Sequence, residues 1–319
     1  MTASYNHYTT TKNFDTEYLK ALQIRRIPPK YKFIGQKNAK AWIDTCLKSD
    51  YEYYSKPYKF LDSIKSDISK CISGDVNLIA LGSPNLTKDK LLIEEFQKTK
   101  QVTYSLVDSS KELASYIIED FANINIPKEV FISDITQNLD LISTQLRDNY
   151  HSKNLFTILT NTFGTYSQEI ISKPIRDAMK RDDYLLIEVH ITPDEPSPKY
   201  IQNVLNSYNN TFYNSHVMQV FSKCDITTDD GYMEVHYGEE KFFPDINVVS
   251  HYFKFTRSRI VKFMGEDIYF SKGERILAAY SNKYKLEVLR KVINTHGFSI
   301  KKEFIDKENG YSEILCQLN

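Results

Sequence analysis

Apolar residues in this chain alternate between short continuous runs and helix-spaced repeats. The run Leu78–Leu81 stops at a turn, residues 82–85, and gives way to the helical spacing of Leu91, Leu92 and Phe96. Short apolar runs bounded by turn residues are typical of strands buried on both faces, and a period of three to four residues is typical of a helix. The pattern therefore predicts a strand, a tight turn and a helix.

Four more apolar runs follow, and helical spacing separates them from one another: Val102–Asp108, Val130–Asp134, Leu155–Leu159 and Tyr184–His190. Strands that alternate with helices at this spacing predict a parallel, doubly wound α/β sheet. Before these runs, residues 1–20 are polar and unpatterned, which predicts a loose tail. Helical spacing over residues 38–47 and 60–72 predicts two helices, with Pro57 between them as a helix breaker.

A proline-rich stretch, residues 192–198, ends this alternation. Residues 200–213 predict one helix, and four alternating segments then predict antiparallel strands: Gly231–Tyr237, Ile246–Phe255, Ile260–Met264 and Ile268–Phe270. The chain turns through residues 273–284 into a helix, and a final strand pair follows. We expect an N-terminal tail and helix (1–50), a Rossmann-like sheet domain (51–193 with 282–319) and an inserted α+β domain (194–281).

Composition limits the partners. The chain has 41 acidic and 41 basic residues, so no overall positive field attracts nucleic acid or an anionic membrane, and a small neutral or zwitterionic partner is favoured. The four cysteines are far apart and form no pair with zinc-ligand spacing, so no metal is expected. The N-terminus lacks signal-peptide character, and no apolar run is long enough to span a bilayer. These features favour a cytoplasmic protein.

Acidic residues end two of the predicted parallel strands, next to the glycine turn. Asp108 ends the second strand, and Asp134 and Ile135 end the third. In an open parallel sheet these ends meet at one edge, where a carboxylate can accept hydrogen bonds from a ribose. We expect Asp108 to hold a ribose, Asp134 to meet an adenine amino group and Ile135 to pack against the ring. The dinucleotide and P-loop glycine motifs are both absent.

Short motifs in a fixed order give the chain a resemblance to a known family. They include Leu81-Gly-Ser, Val107-Asp-Ser-Ser, Thr160-Asn-Thr-Phe-Gly, Gln202-Asn-Val-Leu and Ser281-Asn-Lys-Tyr. From about Tyr51 to its end the chain resembles the histidine-specific methyltransferases, the family of the ergothioneine-pathway histidine N-alpha-methyltransferase. This similarity implies a class I fold that uses S-adenosylmethionine, with residues 194–281 as the substrate domain.

The resemblance also implies which residues form the site. Those expected to bind the cofactor are Gly82, Ser83, Lys88, Asp108, Ser109, Asp134, Ile135 and Thr160. Those expected to bind the substrate are Tyr54, Thr165, Tyr200, Asn203, Ala279 and Ser281.

Several positions depart from the family pattern, mostly on the substrate side. Pro84 replaces the second glycine of the first turn, Thr165 replaces an asparagine used in amino-acid recognition, and Ala279 stands where a glutamate grips the histidine substrate. His190 replaces an aspartate that ends the fifth strand, and the Thr-Arg after the Glu-Tyr-Tyr motif is replaced by Lys56-Pro57. Histidine is therefore not the expected substrate.

Methyl transfer to an amine requires a neutral nucleophile held near the methyl group. A nearby hydroxyl or imidazole can accept the proton of the amine. By motif position the candidates for this role are Tyr53, Tyr54 and His190, and Tyr200 is a further one. We expect a small-molecule methyltransferase that acts on the amine of an amino acid or a derivative. The alternatives are an O-, C- or peptide-directed methyltransferase, or a degenerate relative that only binds a partner.

Overall fold

The computed structural model describes residues 3–8, 11–48, 52–82, 87–240 and 243–319. The strands in chain order are β1 (Ser4–His7), β2 (Val76–Leu81), β3 (Val102–Asp108), β4 (Lys128–Ile132), β5 (Lys153–Ile158), β6 (Tyr184–His190), β7 (Gly231–Glu240), β8 (Phe243–Phe255), β9 (Arg259–Phe263), β10 (Glu266–Phe270), β11 (Arg275–Lys283), β12 (Phe298–Asp306) and β13 (Tyr311–Leu318).

The helices in chain order are α1 (Thr11–Gln23), α2 (Gln36–Lys48), α3 (Glu52–Cys71), α4 (Lys88–Phe96), α5 (Lys111–Asp120), α6 (Leu139–Tyr150), α7 (Gln168–Ala178), α8 (Pro198–Tyr208), α9 (Thr211–Met218) and α10 (Leu286–Thr295). These elements form two compact units. The first comprises residues 1–8, 52–194 and 283–319, and the second comprises residues 9–51 and 195–282. The domain boundaries expected from the sequence stay a prediction.

The first unit is built on one eight-stranded sheet with the order β1-β4-β3-β2-β5-β6-β13-β12. Strands β1 to β6 run parallel to one another, whereas β13 is antiparallel to both β6 and β12. The predicted doubly wound α/β sheet is confirmed. The chain order reverses between β2 and β5, and at such a reversal an open sheet binds ligands outside the carboxyl ends of its strands.

The central strands are buried because helices precede and follow each of them in the chain and cover the sheet. Every residue of β2, β4 and β6 is buried. Parallel strands covered on both faces show this continuous apolar pattern rather than an alternating one. The rigid sheet therefore holds the carboxyl ends of the strands in a fixed arrangement.

The second unit contains a three-stranded sheet in the order β11-β8-β7 and the separate hairpin β9–β10. Helices α1, α2, α8 and α9 belong to the same unit. Strands β7 and β8 are antiparallel, as are β9 and β10, in agreement with the alternating pattern of the sequence. No helix in the described ranges is both long and apolar enough to cross a membrane.

The predicted loose tail at residues 1–20 is wrong. Strand β1 pairs in parallel with β4 over its whole length, and α1 buries Phe14, Tyr18 and Leu22. Tyr18 fills an apolar position of the helix because its hydroxyl donates to the carbonyl of Val220 at 2.5 Å. That partner is distant in sequence, so the local pattern gave no sign that the tyrosine is a core residue.

Three further predictions need correction. Pro57 lies inside α3, in its second turn, where it removes one intrahelical hydrogen bond but does not end the helix. Residues 200–213 form parts of two helices, α8 and α9, rather than one. Residues 275–283 form strand β11, and the following helix begins only at Leu286. The alanines of β11 favour a helix locally, but pairing with β8 in the sheet overrides that propensity.

Candidate active site

Backbone hydrogen bonds join the carboxyl ends of β2, β3 and β4. The amide of Gly82 donates to the carbonyl of Val107 at 2.8 Å, and the amide of Ser133 donates to the carbonyl of Asp108 at 3.0 Å. Gly82 has a φ of 71°, a left-handed conformation that glycine adopts without strain. The structure thus places Gly82, Asp108 and the start of the 133–136 turn side by side at the edge predicted to bind a cofactor.

Asp108 is held in a defined orientation at this edge. Its side chain is buried, and Oδ1 accepts from the amide of Ser110 at 2.7 Å. Ser110 in turn caps α5, because its hydroxyl accepts from the amide of Leu113. The hydroxyl of Ser109 donates to the carbonyl of Ser133 at 3.4 Å, a weak link to the next strand. A carboxylate fixed in this way can accept hydrogen bonds from a vicinal diol such as that of a ribose.

Asp134 organises the turn after β4. Its Oδ1 accepts from the amide of Thr136 at 2.9 Å and from the Thr136 hydroxyl at 2.7 Å. Such an aspartate turn holds the carboxylate and the following backbone together. Ile135 between them is buried. The acid and the apolar side chain predicted to meet an adenine are therefore adjacent on one rigid turn.

The turn after β5 is strained and contains an unsatisfied hydroxyl. Thr160 and Asn161 have φ values of 59° and 54°, and a left-handed conformation is unusual for a β-branched residue such as threonine. A Cβ on Gly164 would lie 2.7 Å from the Asn161 side chain, so this position requires glycine. The Thr160 Oγ1 is buried and has no hydrogen-bond partner among the described residues. A buried hydroxyl of this kind fits a ligand at the same edge.

The structure describes only some of the residues that follow Gly82. Ser83 and Pro84 lie outside the described residues. The predicted cofactor contact of Ser83 and the effect of the proline at position 84 therefore stay predictions. Lys88 is described, and it is fully buried. Its Nζ donates to both carboxylate oxygens of Glu188, at 2.5 and 2.7 Å, with exposures of 0% and 1% for the two side chains. The structure thus places the Lys88 ammonium on the sheet, against β6.

A second buried carboxyl lies opposite this ion pair. Glu313 on β13 faces Glu188 directly across the antiparallel ladder and is fully buried. Burial raises the pKa of Glu313 well above its usual value, and the neighbouring Glu188 raises it further. When Glu313 is neutral, the interior holds one positive charge, on Lys88, and one negative charge, on Glu188, so the two balance.

His190 ends β6, as predicted, and its closest described side chain is Lys283. The Nζ of Lys283 lies 2.6 Å from Nδ1 of His190, and both side chains are buried. The backbone amide of His190 donates to Oδ1 of Asn161, which ties the end of β6 to the turn after β5. Burial lowers the pKa of His190 well below its usual value, with Lys283 and then Lys88 contributing.

Lys283, the residue in contact with His190, is not among the candidates expected from the sequence. Burial lowers the pKa of Lys283 well below its usual value. Two bases in contact, each with a depressed pKa, carry at most one proton between them near neutral pH. The only available signal was the position of Lys283 inside the Ser281-Asn-Lys-Tyr motif, which gives no hint of its contact with His190.

The predicted substrate residues that the structure describes have different local surroundings. Thr165 donates its hydroxyl to the carbonyl of Thr162 within its own turn, and Asn203 is exposed. The half-buried Tyr200 packs edge-on against Tyr237, with ring centroids 6.3 Å apart. The side chains of Tyr53 and Tyr54 lie outside the described part of the chain, so their predicted roles stay predictions.

Ala279 and Ser281 both lie on β11 in the second unit and are buried. Ser281 is in hydrogen-bond contact with the hydroxyl of Tyr208, with 3.0 Å between the oxygens. Tyr208 was not predicted as a site residue, because in the sequence it is one tyrosine among 23. Within the described ranges, no three His, Cys, Asp or Glu side chains group as metal ligands would.

A family model for histidine-specific, S-adenosylmethionine-dependent methyltransferases matches residues 14–318. The chain belongs to this family. It is therefore an S-adenosylmethionine-dependent methyltransferase, and the family resemblance, the enzyme class and the cofactor predicted from the sequence are confirmed. The strand order of the first unit is consistent with the predicted class I fold, which is likewise confirmed.

Solved methyltransferase structures are similar to this chain at low sequence identity. A putative methyltransferase from Thermobifida fusca YX is 9% identical over 93% of this chain and 97% of its own, with a TM-score of 0.47. The CcbJ methyltransferase from Streptomyces caelestis is 11% identical over 82% and 96%, with a TM-score of 0.40. OxaC, solved with S-adenosylhomocysteine and oxaline, is 8% identical over 82% and 47%, with a TM-score of 0.44. No curated protein sequence matches the chain.

Proposed function

We propose that this methyltransferase N-methylates a small molecule, the amine of an amino acid or amino-acid derivative other than histidine. The observation that carries the proposal is the buried Lys283–His190 pair at the carboxyl end of β6. An amine attacks only in its neutral form, so its site needs a group that can receive a proton. Methyl transfer to carbon or to an already acidic hydroxyl has less need of such a pair.

The residues of the sheet edge fit the cofactor. When bound, S-adenosylmethionine would supply an electrophilic methyl group, whose sulfonium sulfur is a good leaving group. In our proposal Asp108 accepts hydrogen bonds from the ribose hydroxyls, and Asp134 accepts from the adenine amino group. Ile135 packs against the ring, and the Thr160 hydroxyl gains the partner that it lacks among the described residues. Lys88 supports β6 through Glu188 instead of contacting the cofactor.

The proposed proton acceptor is the Lys283–His190 pair as a unit. Burial lowers the pKa of both groups, which favours their neutral forms, and a neutral base can accept a proton from a substrate ammonium. The Lys283 contact also orients the imidazole ring of His190. The amide of His190 stays bonded to Asn161 throughout, which keeps the end of β6 in place.

The second unit supports a substrate other than histidine. Ala279, at the position of the family's glutamate, is buried and offers no carboxylate to an imidazole. Ser281 is engaged by Tyr208, so its hydroxyl faces a phenol at this position. We keep residues 194–281 as the proposed substrate domain, with Ser281 and Tyr208 inside it.

A substrate panel tests the proposed acceptor. Free amino acids and simple amine derivatives are incubated with the enzyme and S-adenosylmethionine, and the products are located by mass spectrometry. We expect methylation on nitrogen for at least one non-histidine amine, and stabilisation against heat by that amine in the presence of S-adenosylhomocysteine. Methylation on oxygen, on carbon or of a peptide would replace the amine proposal, as would a clear preference for histidine.

Asp108→Asn should weaken cofactor binding by about 10- to 100-fold, because hydrogen bonds to a charged acceptor contribute about 1.5–3 kcal/mol. Asparagine keeps an oxygen for the Ser110 amide, so the cap of α5 should persist. The measurement is isothermal titration with S-adenosylhomocysteine. Asp120→Asn, at the exposed end of the same helix α5, is the control and should bind normally. Unchanged affinity in Asp108→Asn would remove Asp108 from the site.

A further inference from the structure

Two neighbouring lysines of the second unit are buried in different ways. Lys30 and Lys32 lie on the 3₁₀ turn Pro29–Lys32, with exposures of 6% and 4%. Lys30 has a carboxylate partner, since its Nζ lies 2.5 Å from Oε2 of Glu17. Lys32 lies over the Phe33 ring, 5.3 Å from its centroid, and within the described ranges no carboxylate pairs with it. Among the described residues, the Lys30 charge is compensated by a carboxylate and the Lys32 charge is not.

His216 lies beside this uncompensated charge. It is fully buried, and neither ring nitrogen has a hydrogen-bond partner in the described part of the protein. Its ring packs against Trp42 at 4.8 Å, Phe33 at 5.2 Å and Tyr213 at 6.1 Å between centroids. A neutral imidazole has one donor and one acceptor, and burying both without partners is unfavourable.

No carboxylate is among the groups that shift the pKa of Lys32 or of His216. Phe33 and Trp42 come from the N-terminal segments, Tyr213 and His216 from α9, and His251 from β8. Burial lowers the pKa of His216, and Lys32 and His251 lower it further, whereas burial is the sole cause that lowers the pKa of Lys32 to about 8. A trapped water would satisfy the imidazole but would leave the ammonium without a counter-charge.

We propose that Lys32 and His216 form a binding site for a small monovalent anion, of halide or formate size, inside the second unit. The Lys32 ammonium compensates the charge, and an imidazole N–H of His216 donates to the anion. The aromatic side chains exclude larger anions and water.

The anion site connects to the proposed substrate residue through stacked rings. Tyr213 packs on His251 at 5.2 Å, His251 packs on Tyr208 at 5.7 Å, and Tyr208 contacts Ser281. An anion that holds His216 and Tyr213 in place therefore also restricts the side chains of His251 and Tyr208, which link Tyr213 to Ser281. The anion site belongs to the second unit, and its proposal does not depend on which substrate is methylated.

The first test compares anions at equal ionic strength. Sodium bromide at about 100 mM should raise the Tm of the full chain by about 3 °C or more over sodium gluconate, an anion too large for the site. The bromide effect should disappear in Lys32→Met and persist in Lys30→Met, whose lysine has its own carboxylate. An equal bromide effect in wild type and Lys32→Met, or none in wild type, would overturn the proposal.

Crystals of the wild-type protein grown in bromide test the proposal if Lys32→Met does not fold. Anomalous scattering should show a bromide within hydrogen-bond distance of both the Lys32 ammonium and the His216 ring. Density that fits only a water there, with no anomalous signal, would contradict the site. Repeating the comparison with sodium formate separates a halide site from one that prefers a carboxylate.

Discussion

Lys88→Met is expected to lower the free energy of unfolding by about 3–5 kcal/mol, the usual cost of removing one partner of a buried ion pair. Lys88 and Glu188 are 0% and 1% exposed, so without the ammonium the Glu188 carboxylate would be left charged in the interior. Glu313 faces Glu188 across the ladder and offers a second carboxyl rather than a cation. The variant is therefore expected to show a clearly lower midpoint in urea unfolding followed by circular dichroism.

Two further variants separate a structural role of Lys88 from a cofactor role. Lys88→Met combined with Glu188→Gln should recover much of the lost stability, because the uncompensated charge is gone. Lys173→Met removes an exposed ion pair with Asp177 on α7 and should change stability by less than about 1 kcal/mol. If Lys88→Met kept its stability but lost S-adenosylhomocysteine binding, the original prediction of a cofactor contact would be correct and the structural role wrong.

The sequence indicates the region in which Lys88 lies but not the partner of its ammonium. Its motif position indicated the correct region, next to the glycine turn, because the order of motifs reflects the order of strands and turns. The partner of its ammonium, Glu188, is 100 residues away in the chain. Glu188 lies in an apolar run of β6, where a lone acid gives no sign that a lysine from another helix reaches it.

The parallel sheet was predictable because each central strand is buried on both faces and therefore reads as a continuous apolar run. The edge strand β1 was missed, since it is held by backbone pairing with β4 and needs no apolar pattern. Strand β11 was missed for a related reason. Its residues Ile276 to Tyr280 are all buried, so they show neither the alternation of a half-buried strand nor a helical period.

The candidate site residues also divide into those with a local signal in the sequence and those without one. Asp108 and Asp134 could be predicted as candidates because an acid at the end of a parallel strand is a local signal with a known structural consequence. The strained turn at Thr160 and the contact of Lys283 with His190 depend on backbone angles and on side chains that are far apart in sequence. The proposed proton acceptor therefore becomes apparent only in the folded chain.

Lys283→Arg is expected to reduce kcat/KM at neutral pH by about 10²- to 10⁴-fold, the range associated with loss of general acid–base catalysis. A guanidinium stays protonated across the accessible pH range, so residue 283 can no longer take up a proton, and its permanent charge beside His190 disfavours protonation of the imidazole. The approximate length of the side chain is kept, whereas its charge becomes permanent, so the Tm of the variant is measured beside its activity. A loss of this size with an unchanged Tm would reflect proton transfer more than packing.

The pH profile gives the more specific readout. In wild type the pair must be unprotonated to accept a proton, so activity should rise with pH through its apparent pKa and then level off. Both members have a lowered pKa, so this rise should lie well below the ordinary value for lysine. Lys283→Arg should lose the rise, and Lys291→Arg, on the exposed face of α10, should keep it.

Cofactor affinity separates this role from a structural one. Lys283→Arg should still bind S-adenosylhomocysteine, because the proposed cofactor residues lie at the ends of β2 to β5 and do not include Lys283. If the variant kept the wild-type activity and pH profile, the pair would serve only to pack β6 and the proton would leave by another route. If it lost cofactor binding as well, Lys283 would act by holding the edge of the sheet in place. Only a loss of turnover with intact binding and an altered pH profile supports the pair as proton acceptor.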